Sequence, residues 1–423
     1  MTDSLAPTAD RVRTGRWLAT PLLVLTVFGP ISMDLYLPAL PALTSELGAA
    51  TSLAQLTVTA CLIGLAGGQL LAGPLSDRFG RRLPLLIGIA AYVIVSALCA
   101  ASPTVEMLIA ARLVQGLAGG VGIVIAQAAG RDVYDGGRLI RFYGRLTVIG
   151  GFAAIVGPLL GGALTTLMDW RGLFLVLAVI GAAILAWAAF GFPETLPVTE
   201  RTTGGFIRVG QDMRLLFRDR RFVGAVLAQG FVYAALFAYL SGATYVLQGV
   251  YGLTPQQYAL AFGLNSAGFM VFGYLAGRSS ERWSIIGTLV IGLILTGLGA
   301  AGLLVAGLAH MPLIVVILSL MSLVGGTAVT SPPSTTLALS DYPQIAGTAS
   351  SLLGAARFAF GGIAAPLVGV AGALSILPLG IVTTVSIVLA GLAAIIFLSR
   401  RALDTRADTS PTLTTEGTPA CVE

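Results

Sequence analysis

Apolar runs long enough to cross a bilayer recur about twelve times along this chain. They fall near 17–41, 53–74, 83–101, 105–131, 142–167, 171–192, 222–248, 256–277, 283–307, 312–339, 345–370 and 375–399. Only 10% of the 423 residues are charged and 56% are hydrophobic, whereas a soluble domain carries roughly 25% charge. Most of this chain therefore belongs in lipid.

The arginines orient it. Every one of the 24 basic residues is arginine. All but Arg112, Arg171 and Arg357 lie in the N-terminus, the C-terminal tail or the connections after even-numbered runs. Positive charge gathers on the cytoplasmic face, so both termini are expected there, in a multi-pass protein of the cell membrane. Arg11, Arg13 and Arg16 precede a run too long for a signal peptide and interrupted by Asp34, so no cleavage is expected.

The longest connection divides the runs into two sets of six. The expected organisation is a cytoplasmic N-terminus (1–16), a first six-helix bundle (17–192), a cytoplasmic linker (193–221), a second six-helix bundle (222–400) and a disordered cytoplasmic tail (401–423). Within the linker, Phe206–Val209 and Met213–Arg218 mix apolar and basic positions at helical spacing. That pattern reads as an amphipathic helix on the inner leaflet.

Several function classes are excluded. The net charge of +5 is spread over span ends rather than one face, so no nucleic-acid partner is expected. Cys61, Cys99 and Cys421 are too few and too scattered for a disulfide framework or a metal site. His310 is the only histidine. The connections hold no P-loop, no H-E-x-x-H and no acid–histidine cluster, so neither catalytic residues nor a cofactor is expected.

The stretch Gly73–Arg82, GPLSDRFGRR, packs one acid and three arginines between the second and third runs. It resembles the loop signature G-x-L-[SA]-D-R-x-G-R-[KR] of the major facilitator superfamily; the bland alternative is a merely solvated positive turn. Gly273–Arg282, after the eighth run, echoes it with Gly277 in place of Asp77, a degenerate second copy. The resemblance implies an all-α membrane protein, with twelve transmembrane helices in two pseudo-symmetric six-helix bundles around a central cavity, functioning as a monomer. It also implies a cytoplasmic latch built from Gly73, Asp77, Arg78, Gly80, Arg81 and Arg82, with Arg131 and Asp132 from the end of span four. In that latch Asp132 would partner Arg78 or Arg82, and Asp77 would cap the N-terminus of span eleven near Ile345–Ala349, holding the inner gate shut in the outward-open state.

Asp34 lies inside the first run, where an ionisable group is costly unless it faces a cavity or a partner. Its protonation could respond to what occupies that cavity. A carboxylate fixed only to pack spans together is the alternative. Arg112 lies inside the fourth run at a depth similar to that of Asp34, which allows the two to pair, or to form a pair that opens when Asp34 takes a proton. Its surroundings, Leu108–Gly120, resemble the superfamily's L-x-x-x-R-x-x-Q-G segment, whose arginine is associated with proton transfer; a purely structural arginine is the alternative.

Gly157-Pro158 and Gly161-Gly162 punctuate the fifth run. The pattern resembles the antiporter signature G-P-x-x-G-G of drug exporters, against an ordinary small-residue packing face. Asp34–Pro41, Pro193–Leu196 and Ala346–Ser350 resemble one branch, the bicyclomycin/chloramphenicol-resistance drug:proton antiporters. That resemblance implies export of lipophilic drugs such as chloramphenicol, driven by the proton gradient, with Asp34 and Arg112 in proton coupling. An exporter of an endogenous metabolite, a self-made antibiotic or a sugar is the alternative. The expected substrate cavity comprises Met33, Tyr36, Gln115, Gln229, Tyr233, Phe237 and Arg357. Arg357 is the odd one, steering acidic or polar substrate groups or else pairing with a helix carbonyl or water.

Overall fold

The computed structural model describes residues 22–134, 136–201, 205–279, 284–342, 345–369 and 375–398. The N-terminal arginines, Glu281 and Arg282 of the second motif copy, residues 370–374 and the tail with Cys421 lie outside the described residues. So do the side chains of Phe206–Val209. Among the described residues there is no strand, and ten helices are long and apolar enough to cross a membrane.

We number the spans in chain order. Span two is Thr51–Phe79, three Arg82–Ala100, four Val105–Val133, five Gly136–Leu164 and six Trp170–Gly191. A linker helix, Gly205–Arg218, leads to span seven (Arg220–Tyr245), eight (Pro255–Ser279) and nine (Ile285–Ala309). Span ten is Leu313–Leu339, eleven Ala346–Leu367 and twelve Leu377–Leu398. Side chains of Thr104, Asp169, Asp219 and Ser284 cap the N-termini of spans four, six, seven and nine. They satisfy backbone N–H groups that the helix itself leaves open.

Span one is broken. Phe28–Asp34 is helical, Leu37–Ala39 is a 3-10 turn, and Leu40–Glu46 resumes the α-helix. Proline dictates the break: Pro38 offers no N–H to the carbonyl of Asp34, and Pro41 none to that of Leu37. Over its described residues the run expected at 17–41 is therefore not one continuous helix but helical pieces interrupted at a non-helical Leu35-Tyr36 step.

Span two also departs from expectation. It runs for 29 residues, roughly 43 Å, so most of the Gly73–Arg82 stretch is helix rather than loop. The helix ends only at Gly80, whose φ of 87° suits glycine and whose missing Cβ leaves room for the side chain of Glu194. Gly73, by contrast, faces open space.

Packing repeats between the halves. Span one packs on five as seven packs on eleven, two on four as eight on ten, and three on six as nine on twelve. Across the halves, two packs on eleven and five on eight. The close approaches rest on glycine: a Cβ at Gly64, Gly68 or Gly116 would enter the facing backbone of spans four and two. The linker helix touches spans two, seven and eleven, with Leu216 buried beneath it and Leu215 and Phe217 exposed.

Candidate functional site

The break in span one exposes backbone and turns side chains inward around two charged residues. Asp34 ends the first helix, buried to 3% exposure, and its Oδ1 has no hydrogen-bond partner among the described residues. Span five makes its wall. A Cβ at Gly157 would lie 2.9 Å from Cβ of Asp34, and one at Gly161 would enter the carbonyl oxygen of Leu35. On the far side, Gly162 seats Ala259 and accepts a hydrogen bond on its carbonyl from Gln256 Nε2 at 3.1 Å. The same glycine row thus touches the acid of one half and the opening turn of span eight in the other. An unpaired buried carboxylate is costly unless a proton, a substrate or a moving partner compensates it.

Arg112 does not pair with Asp34. Its Nη1 donates to the carbonyl of Ser32 at 3.0 Å and to Gln115 Oε1 at 2.7 Å, and its Nε reaches the carbonyl of Thr57 at 3.5 Å. Nη2 lies 3.6 Å from the sulfur of Met33. The guanidinium stacks 4.4 Å from the centroid of the Tyr36 ring and 5.6 Å from that of Phe174. The proximal reason is the broken span: the carbonyl of Ser32, two residues before Asp34, captures the donors that equal depth had offered to the acid.

Gln115 is likewise a holder. Fully buried, it accepts from Arg112 and donates through Nε2 to Ser96 Oγ at 2.7 Å. Met33 and Tyr36 are buried around the same guanidinium. Of the expected cavity set in the first half, all three residues are packed around Arg112.

In the second half Gln229 and Phe237 are buried, while Tyr233 and Arg357 keep partial exposure. Phe237 packs on Phe358, and Tyr233 lies under Arg357. Arg357 donates to Thr335 Oγ1 at 3.0 Å. Sequence reasoning named neither Thr335 nor Ser331; only their place in a Ser-Pro-Pro-Ser-Thr-Thr stretch set them apart from ordinary small residues.

The Gly73–Arg82 stretch gathers a charge network whose centre is Arg81, not Arg78 or Arg82. Arg81 bonds Asp77 one helical turn back, Asp132 Oδ2 at 2.9 Å and Ser76 Oγ at 2.7 Å. Burial alone would lower its pKa, but the bonds and charges of Asp132 and Asp77 outweigh burial and raise it. Arg82 instead donates to the carbonyl of Ala189 at 2.7 Å, Arg78 lies over Phe79, and Arg131 is exposed. In this structure Asp77 is bonded to Arg81, with no hydrogen bond to the described residues of span eleven.

Glu194 completes the network. It accepts from the backbone N–H groups of Arg81 and Arg82 and pairs with Arg201 at 3.5 Å. Thr195 adds a hydrogen bond to Asp132 at 2.9 Å. The Pro193–Leu196 motif, with Arg201 a few residues on, was the available signal for it.

Hydrogen bonds between the halves gather, among the described residues, at the arginine-poor end. Tyr245 and Thr44 hydroxyls meet at 2.7 Å, Thr244 Oγ1 donates to the carbonyl of Leu37 at 3.0 Å, and Gln248 Nε2 to that of Pro38 at 3.1 Å. The broken stretch of span one thus supplies carbonyls to the end of span seven and the turn that follows it. Beside them, Glu46 accepts from Trp170 Nε1 at 2.8 Å and pairs with Arg171 at 3.3 Å.

Comparison with known proteins agrees with this geometry. Residues 22–366 match the model of the Major Facilitator Superfamily. The chain is 36% identical over 378 residues to an uncharacterised MFS-type transporter, YdgK, of Bacillus subtilis, covering 89% of this chain and 94% of that one. It is 31% identical over 372 residues to a chloramphenicol resistance protein of Pseudomonas aeruginosa, covering 85% of each. Among solved structures, a D-xylose-proton symporter superposes with a TM-score of 0.70 at 18% identity, covering 90% of this chain and 97% of that one.

Proposed function

Because this chain belongs to the Major Facilitator Superfamily, and so is a multi-pass membrane transporter rather than an enzyme, we infer that it exports lipophilic drugs in exchange for protons. Chloramphenicol-like antibiotics are the first candidates, on the likeness to a chloramphenicol resistance protein and a bicyclomycin resistance protein homolog. The arginine-rich end faces the cytoplasm. The hydrogen bonds across the opposite end then make this an inward-facing form, which drug enters from the cytoplasm or the inner leaflet.

The observation that carries the reading is Asp34: buried, without a hydrogen-bond partner for Oδ1, at the break of span one and wedged on the glycine row of span five. In the outward-facing form a proton reaches this acid, drug binding weakens, and the protonated carrier returns. Arg112, held two residues away by the carbonyl of Ser32, fixes the broken turn and its field.

The test is chloramphenicol accumulation in cells stripped of their own pumps, with and without an uncoupler. Low accumulation that rises with the uncoupler, and with Asp34→Asn, supports proton-driven export through the acid. Asp34→Asn protein that still pumps against a gradient removes the acid from the mechanism. Unchanged chloramphenicol levels move the substrate to another drug, a metabolite or a self-made antibiotic.

A further inference from the structure

The carboxylate and guanidinium side chains deep in the spans, among the described residues, are one acid, Asp34, and two bases, Arg112 and Arg357. The two arginines are treated differently. Arg112 is fully buried, with bonds at Nε, Nη1 and Nη2 and aromatic rings over its face. Arg357 is only half-buried, and among the described residues it has no carboxylate partner. Its Nη2 donates to Thr335 Oγ1 at 3.0 Å, and its guanidinium carbon lies 5.0 Å from the ring centroid of Tyr233.

With its amide oriented to satisfy its neighbours, Gln229 accepts from Arg357 Nε at 3.2 Å and Nη2 at 2.8 Å. Ser331 Oγ bridges Gln229 at 3.3 Å and the Tyr233 hydroxyl at 3.4 Å. Spans seven, ten and eleven therefore bring one hydroxyl, an amide oxygen and an aromatic ring to one guanidinium, with the Ser331 hydroxyl bracing the amide and Tyr233 behind them. Nη1 of Arg357 has no partner among the described residues, which leaves donors of a five-donor fork unspent.

A charge held in a membrane interior without an opposite charge is costly. A neutral hydroxyl and a neutral amide orient the Arg357 guanidinium but do not neutralise it. The planar fork suits a carboxylate through two parallel hydrogen bonds, and Tyr233 with Phe237 and Phe358 supplies an aromatic wall beside it. We propose that Arg357, with Tyr233, Ser331 and Thr335, is a subsite for the carboxylate of aromatic organic acids, so that the export substrates include such acids. The proposal deepens the export reading and rests on it only for this face of spans seven, ten and eleven lying on the substrate path.

The test is equilibrium binding to the purified full chain in lipid nanodiscs, without a proton gradient. The probes are the fluorescent acid N-dansylphenylalanine and its neutral carboxamide, titrated at neutral pH. Wild-type protein is expected to bind the acid about ten- to hundredfold more tightly than the amide, the span of one charge-assisted hydrogen-bonding site. Arg357→Gln abolishes the preference, Arg357→Lys keeps part of it, and Thr335→Val reduces it with the arginine in place. Elution volume and melting temperature establish that each variant is folded.

Equal affinity for acid and amide in the wild type overturns the subsite, as does binding of neither probe or a preference that survives Arg357→Gln. If Arg357→Gln does not fold, the wild-type comparison and Thr335→Val decide alone. Because no proton flux enters this experiment, its failure leaves the Asp34 reading standing, and failure of drug:proton exchange leaves this one standing.

Discussion

Gly157 of span five faces Asp34 of span one so closely that a Cβ on the glycine would stand 2.9 Å from Cβ of the acid. One helical turn on, Gly161 sits against the carbonyl of Leu35, and Gly162 against the start of span eight. The glycine signature and the membrane acid are therefore one structural unit, and that unit reaches the interface between the halves.

Filling that unit should be expensive. Gly161→Ala drives a methyl into the backbone of Leu35, and overpacking of this kind costs about 1–3 kcal/mol. We expect a lower melting temperature of the purified protein and loss of transport. Gly150→Ala, on the same span with no atom near its added carbon, should leave both unchanged.

The latch should depend on Arg81 far more than on its neighbours. Arg81→Ala removes contacts to Asp77, Asp132 and Ser76 at once, whereas Arg78→Ala removes only a stack on Phe79. We expect Arg81→Ala to lower the melting temperature and transport, and Arg78→Ala to have a small effect. A raised basic pKa adds stability that is complete below the unfolded value and is lost only as pH rises through the folded value. Thermal melts across neutral pH should therefore show no loss from Arg81.

Two glycines of the same stretch should separate. Gly80→Ala strains a φ of 87° and meets Glu194, so expression and melting temperature should fall. Gly73→Ala meets nothing and should be tolerated, measured the same way.

Arg112 should resist conservative replacement. A lysine cannot reach two carbonyls, Gln115 and an aromatic face together. Arg112→Lys is expected to lose transport nearly as fully as Arg112→Ala, and Gln115→Leu to lose part of it by leaving a buried donor unpaired, about 1–3 kcal/mol. Drug uptake into inverted vesicles checks all three.

Tyr245→Phe removes one hydrogen bond across the arginine-poor end. One such bond is worth about 0.5–1.5 kcal/mol, so the balance between the two access forms should shift roughly two- to tenfold away from this one. Distances between spin labels on Thr44 and Gln248 sides of the closure, placed at exposed neighbours, would report the change.

Much of the architecture was legible because it follows from local rules. Apolar run length gave the spans, and glycine and arginine spacing gave the family likeness. The break after Asp34 was written in Pro38 and Pro41, yet a hydropathy pattern averages over it. What stayed hidden were partners: depth along a helix cannot tell that the carbonyl of Ser32 takes Arg112, or that Arg81 rather than Arg78 takes Asp132. Rotational position around each helix decides such contacts, and neighbours on other helices set it. The role of Glu194, quoted only as part of a branch motif, and that of Ser331 and Thr335 on span ten stayed hidden for the same reason.

The central claim is exchange of drug for proton through Asp34. Its most direct test is purified protein in sealed proteoliposomes carrying an internal pH dye, with chloramphenicol added as the only gradient. The account predicts a drug-dependent proton flux opposite to the drug, saturating with concentration and absent from Asp34→Asn protein that still elutes and melts as wild type. An equal flux from Asp34→Asn, or drug movement by the wild type with no proton movement, would contradict it.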